Sequence, residues 1–123
     1  MPSVLIVDDD ADLRLLTRRL LSKMGCEVIE ASNGSEGESK ALEMSPELIL
    51  LDIMMPGQDG YETCARLRNQ GYSGSIVLVS ALQQASAVTQ IQQCGANGYV
   101  QKPISRETLR LHVDQASSQQ TVQ

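Results

Sequence analysis

The sequence predicts a doubly wound α/β fold, a five-stranded parallel sheet covered by helices on both faces. Three observations carry this. Five short apolar, β-branched segments, 4–7, 27–30, 48–51, 76–79 and 99–100, recur at intervals of roughly 20 to 28 residues. Each is followed by a stretch of helical period, and strict alternation of this kind requires parallel strands joined by right-handed crossovers. VLIV, LILL and IVLV are apolar at every position, as expected of strands covered on both sides.

The elements follow in order. After strand 4–7, Leu13, Leu16 and Leu20 recur at three and four, with Asp9 or Asp10 placed to cap the helix and Gly25 beyond its end. Strand 27–30 reads as an edge. The second helix, 35–44, offers a capping box in Ser35 and Glu38, but Gly37 in its first turn costs about 1 kcal/mol relative to Ala. It is expected to be the loosest helix. Strand 48–51 leads to a third helix that opens at Asp59 with Glu62 three residues on, turns Tyr61, Cys64 and Leu67 inward and closes at Gly71. After strand 76–79, the fourth helix, 83–94, has a thin stripe of Val88 and Ile91 among glutamines and carries no charge. Strand 99–100 is again edge-like. The fifth helix starts after Pro103 at Ser105 and presents Leu109, Val113 and Ala116. The expected organisation is one domain over 1–123, with a core of 3–116 and a Gln/Ser-rich tail, 117–123, that frays.

Composition narrows the function. With 123 residues, 41% of them hydrophobic, the chain can bury a core without disulfides or a structural metal, so any metal would be functional. A net charge of -5 and scattered Lys and Arg argue against direct nucleic-acid binding. No apolar run approaches the roughly 18 residues of a membrane span, and Met1, Pro2 and Ser3 lead into a strand without a signal-peptide pattern. A cytoplasmic protein is expected. Cys26, Cys64 and Cys94, odd in number and without a CxxC, read as reduced, buried thiols.

In open parallel sheets ligands gather beyond the carboxyl ends of the strands. The first strand ends there in Asp8, Asp9 and Asp10, the third in Asp52, the fourth in Ser80 and Ala81, and the fifth in Gln101, Lys102 and Pro103. Carboxylates brought close together repel and raise one another's pKa unless a cation lies between them. With oxygen donors and no Cys or His on this rim, Mg²⁺, Mn²⁺ or Ca²⁺ is favoured over zinc. The single histidine, His112, falls in the last helix and reads as a surface residue. Taken alone, the aspartate triplet reads equally well as a solvated loop and helix cap, and a structural Asp–Lys ion pair is an alternative for the rest. What favours a site is that wholly apolar strands do not place charges at their tips without a partner.

LIVDDD at 5–10, LILLDIMMPGQDG at 48–60, VLVSA at 77–81 and GANGYVQKP at 95–103 together resemble the receiver domain of bacterial two-component response regulators, over residues 3–116. The resemblance implies a flavodoxin-like (βα)5 sheet of order 2-1-3-4-5. It makes Asp52 the phosphoryl acceptor, Asp9 a direct ligand of Mg²⁺ or Mn²⁺ with Asp8 beside it through water, and Met54 a ligand through its backbone carbonyl. Ser80 would donate its hydroxyl to a phosphoryl oxygen and Lys102 would pair with another. Tyr99 would turn inward when Ser80 moves, and the bond between Lys102 and Pro103 would be cis. The chemistry is sound in its own terms, since a carboxylate nucleophile can form an acyl phosphate and metal, ammonium and hydroxyl stabilise the transferring group. The implied function is a phosphoacceptor switch that catalyses only its own phosphorylation and dephosphorylation. Its donor would be a histidine kinase or histidine phosphotransfer protein, its target a downstream output protein.

Departures from the pattern sharpen these expectations. Gly37 and Glu38 stand where relatives often carry an apolar pair. Met54 and Leu82, two past the acceptor and two past the hydroxyl, are bulky and apolar where related domains flank the path of hydrolytic water, so they are expected to slow loss of the phosphoryl group. No Asp or Glu occurs from Thr63 to Arg106. The acidic half of the ion pairs that join receivers through their fourth helix, fifth strand and fifth helix is therefore largely missing, and a monomer is expected. Among rivals, a haloacid-dehalogenase-type phosphatase wants an Asp where Met54 stands, and a flavodoxin-type cofactor carrier would need a phosphate-cradling first loop and more aromatic rings. A pseudo-receiver that only binds partners remains the other reading. With no output domain, the chain reads as a single-domain regulator or a receiver cut from a larger or hybrid protein.

Overall fold

The computed structural model describes residues 1–81, 91 and 93–121, with side chains through Ser117. Five strands, β1 (Ser3–Val7), β2 (Glu27–Ala31), β3 (Leu48–Asp52), β4 (Ser75–Ser80) and β5 (Gly98–Gln101), form one sheet of order β2-β1-β3-β4-β5. All pairings are parallel. The order reverses between β1 and β3, so their carboxyl ends open a crevice. Four helices are described: α1 (Ala11–Lys23), α2 (Gly34–Met44), α3 (Gly60–Asn69) and α4 (Arg106–Thr121). Most of the expected helix 83–94 lies outside the described residues. Of that segment, Ile91 is half-buried against the core and Cys94 is buried.

Period-two alternation divides the central strands between two cores. Leu5, Val7, Ile49, Leu51, Ile76 and Leu78 face α2 and α3, where they meet Ala41, Cys64 and Leu67. Val4, Ile6, Leu48, Leu50, Val77 and Val79 face the other way, towards Leu21 of α1 and Leu109, Val113 and Ala116 of α4. The three cysteines are free and buried. Among the described residues, no helix is long and apolar enough to cross a membrane.

Several expectations are corrected. Leu16 of the expected α1 stripe is 53% exposed, whereas Leu21 is fully buried. The inward face follows Leu13, Thr17, Leu20, Leu21 and Met24, at i, i+4, i+7, i+8 and i+11, and leaves Leu16 on its flank. In α2 the cap is Asn33, whose side chain accepts the Glu36 N–H at 2.8 Å while Glu36 reaches back to the Ser32 N–H at 2.7 Å. The box thus begins two residues before the expected Ser35, and Glu38 is freed for another role. Gly37 is also no mere weak point. A Cβ there would lie 2.7 Å from a Val7 methyl, so its absence lets α2 settle onto β1. His112 is not a surface residue but is half-buried, near the start of β5 at Gly98. The last helix spans Arg106–Thr121, and Ser117 donates to Glu47 at 3.4 Å.

Candidate functional site

The carboxyl ends of β1, β3 and β5 bring the charged strand tips together. Asp8 continues from β1, its N–H donating to the Ala31 carbonyl at 3.1 Å, and its side chain is buried. Its Oδ1 accepts the Asp10 N–H at 2.9 Å, which bends the chain into α1. Asp10 takes no part in the cluster. It caps α1 by accepting from the Asp12 and Leu13 N–H groups at 3.0 and 3.2 Å. Asp9, between them, is exposed. Asp52 is the last residue of β3 and only 3% exposed.

One carboxylate oxygen from each of Asp8, Asp9 and Asp52 lies within 4.8 Å of the others. Lys102, just past β5, reaches across: its Nζ stands 3.1 Å from Asp8 Oδ2 and 3.4 Å from Asp52 Oδ2. Three carboxylates thus face one ammonium, a local excess of two negative charges. Burial, followed by the neighbouring Asp8 charge, pushes the Asp52 carboxyl up to about 6, against the pull of Lys102. Burial alone would lower the Lys102 ammonium, but its hydrogen bond to Asp8 and the charges of Asp52 and Asp8 outweigh that and hold it above its ordinary value. Oxygen donors this close, incompletely neutralised by the protein, fit a hard divalent cation of the Mg²⁺ or Mn²⁺ kind. An Asp–Lys ion pair does exist here, but one lysine cannot balance the cluster.

Of the remaining expected residues, Met54 and Ser80 adjoin this centre. The Met54 N–H points to Asp52 Oδ1 at 3.4 Å, and the Met54 side chain is 55% exposed. Ser80 ends β4 fully buried, and its carbonyl accepts the Lys102 N–H at 2.8 Å, so the hydroxyl-bearing and ammonium-bearing chains are tied at the rim. Tyr99 stands lower in the sheet, opposite Leu78, half-buried against the α2 and α3 side of the core. The peptide bond between Lys102 and Pro103 is cis. Leu82 lies outside the described residues.

Two groups at the site were missed in the sequence. Arg14, one turn into α1, donates to the Asp8 carbonyl at 2.6 Å and pairs with Glu30 of β2 at 3.3 Å. Gln58, in the loop after Asp52, donates to the buried carboxylate of Glu38 at 3.1 Å. The helical position of Arg14, four after Asp10, was a usable signal. The pairing of Gln58 with Glu38 had none, because it joins different elements.

Comparison with known proteins agrees with this fold. Residues 4–114 match the family described as the response regulator receiver domain. The chain is 39% identical over 110 residues to the transcriptional regulatory protein ResD of Bacillus subtilis, covering 89% of this chain and 45% of ResD. It is 34% identical over 108 residues to protein PilG of Pseudomonas aeruginosa, covering 86% of this chain and 80% of PilG. It therefore spans about half the length of the first and four-fifths of the second. Among solved structures, chemotaxis protein CheY4 of Vibrio cholerae superposes with a TM-score of 0.88 at 28% identity, over 94% of this chain and 98% of that one.

Proposed function

The chain belongs to the response regulator receiver domain family, and from this premise we propose that it is a phosphoacceptor switch whose acceptor is Asp52. One observation carries the reading: Asp8, Asp9 and Asp52 offer oxygens within 4.8 Å of one another, with Lys102 in contact with two of them. Asp8, Asp9, Asp52 and the Met54 carbonyl would hold Mg²⁺ or Mn²⁺. When bound, the ion supplies positive charge that neutralises the cluster and the incoming phosphoryl oxygens.

The chain's own residues do the rest. An oxygen of the Asp52 carboxylate attacks the phosphorus of a phosphohistidine in a histidine kinase or histidine phosphotransfer protein. The O–P bond forms as the N–P bond breaks, and the electron pair stays on the imidazole nitrogen, which takes a proton from water. Lys102, already beside Asp52, balances charge spreading over the phosphoryl oxygens. The product carries about -1.5 to -2 of charge in place of one carboxylate. The Ser80 hydroxyl and the Lys102 ammonium are drawn to it, and this difference in contacts is what shifts the conformational equilibrium. Tyr99 follows Ser80 inward, and Pro103 passes the change to the loop before α4. A downstream protein reads the altered face. The setting that fits this chemistry is the cytoplasm.

The test is intact mass after incubation with acetyl phosphate and Mg²⁺. An adduct of roughly 80 Da, the mass of one phosphoryl group, that is absent from Asp52→Asn supports the reading. No adduct on the parent chain overturns it in favour of a partner-binding pseudo-receiver.

A further inference from the structure

We propose that Gln58 is a positioning residue for the cation end of the site, held in place by a buried polar latch centred on Glu38. The inference rests on the receiver reading above. The loop 53–59 joins the strand ending in Asp52 to α3 and carries Met54, whose carbonyl is assigned to the cation. Its ends are pinned by backbone bonds, Ile53 N–H to the Val79 carbonyl at 2.9 Å and Gly60 N–H to the Ile53 carbonyl at 3.0 Å. Towards its C-terminal end a side chain adds a further anchor.

The Gln58 amide nitrogen donates to Glu38 Oε1 at 3.1 Å and to Thr63 Oγ1 at 3.0 Å. Both of its protons are thereby used. The Thr63 hydroxyl in turn donates to the Asp59 carbonyl at 2.8 Å, so the acceptor it offers Gln58 is itself oriented. Glu38 also accepts from Arg66 Nε at 2.7 Å and Gln70 Nε2 at 2.6 Å. Three donors from the loop and from α3 thus converge on one carboxylate of α2 that is 8% exposed. One turn before Glu38, a Cβ on Gly34 would stand 2.5 Å from the Gln58 carbonyl, so the α2 backbone already lies against the loop. Gln58 is therefore fixed from two sides.

Met54 is four residues from this anchor, and its N–H reaches Asp52. With Gln58 released, the loop between Ile53 and Asp59 samples more arrangements, and only a fraction of them would place the Met54 carbonyl where the cation requires it. Apparent cation affinity falls by that fraction.

The experiment is calorimetric titration of Mg²⁺ alone into the full chain and into Gln58→Ala and Gln58→Leu, with urea unfolding of each. The leucine variant keeps most of the side-chain volume, so a binding result is obtained even if the alanine variant folds poorly. The expected result is a loss of Mg²⁺ affinity of about tenfold, the lower end of the range seen when groups orienting metal ligands are removed. Replacing Gln58 in a Glu38→Gln background should add little to the loss from Glu38→Gln alone, because both act through one latch. Unchanged Mg²⁺ affinity in a folded Gln58 variant, whatever its stability, overturns the inference. If the unaltered chain itself fails to bind Mg²⁺, the receiver reading falls and takes this inference with it.

Discussion

Asp52 combines deep burial with like-charged neighbours. Asp8 and Asp9 share its cluster, and among the described residues Lys102 is the one ammonium in contact with it. An unbalanced carboxylate in such a place costs the fold stability that a neutral isostere would recover. Lys102 would not be orphaned by the change, because its shorter contact is to Asp8 at 3.1 Å. Asp52→Asn should therefore be more stable than the parent chain at neutral pH without divalent ions, by about 1–3 kcal/mol. For a domain of this size that corresponds to a rise in melting temperature of roughly 3–6 °C per kcal/mol. Adding millimolar Mg²⁺ should narrow the gap by stabilising the parent more than the variant. A thermal melt with and without EDTA checks both statements, and an equal or lower melting temperature for Asp52→Asn in EDTA would show that Lys102 alone balances the cluster.

Helix α2 shows where helical propensity and packing pull in opposite directions. Gly37→Ala gains about 1 kcal/mol of helix propensity. The new Cβ, however, would lie 2.7 and 2.9 Å from the two Val7 methyls, and Val7 is buried and stiff at χ1. Overpacking of that kind costs about 1–3 kcal/mol, so with contacts this short packing wins and the variant should be destabilised in urea unfolding, by up to about 2 kcal/mol net. Glu38 supplies the second element-scale prediction. Its hydrogen bond from Arg66, opposed by burial and supported by Gln70 and Gln58, holds its carboxyl below the ordinary 4.5. Between the lowered folded value and 4.5 the unfolded chain binds more protons, so stability rises with pH there. The contribution is complete above 4.5 and is lost as pH falls through the folded value. Glu38→Gln should lose on the order of 1 kcal/mol at pH 7, a figure held down because Arg66 is half-exposed, and the difference should shrink as pH drops below 4.5 and through the folded value. The same helix marks the reach of sequence reading. Asp59 was legible as a cap because its partner is three residues away, as was Asp10 as one of two candidates. Asn33, the cap observed, was missed in favour of Ser35, because the close approach of α2 to β1 that sets where the helix starts is not written in the local sequence. Glu38 looked like a local cap because its partners lie 20 to 32 residues distant.

At the scale of the whole chain, the site was legible for a topological reason. Parallel strands all end on one edge, so charges at the tips of apolar strands must meet there, and Asp8, Asp52 and Lys102 do. Side chains that hold the site from behind, Arg14 with Glu30 and Gln58 with Glu38, depend on how helices settle across the sheet, which strand order does not fix. Surface charge, by contrast, is read directly from the sequence and bears on assembly. A two-fold dimer needs a self-complementary patch, in which each cation on one copy finds an anion on the other. Around β5 and α4 the described cations are Lys102, Arg106 and Arg110, and Lys102 is already engaged with Asp8 and Asp52. From Thr63 to Arg106 the sequence supplies no acid at all, which leaves Glu107 and Asp114, both on α4, to answer them. Exposed pairs of that kind contribute at most about 1 kcal/mol each, too little to repay the loss of translational and rotational freedom on association. An acyl phosphate at Asp52, as proposed, would add negative charge at the rim and leave this balance on the flank unchanged. Sedimentation of the chain with beryllofluoride and Mg²⁺, at tens of micromolar, should therefore give the 13.4 kDa monomer. A species of twice that mass, lost on substituting Arg110 or Asp114, would mean that the two acids on α4 suffice to join two copies.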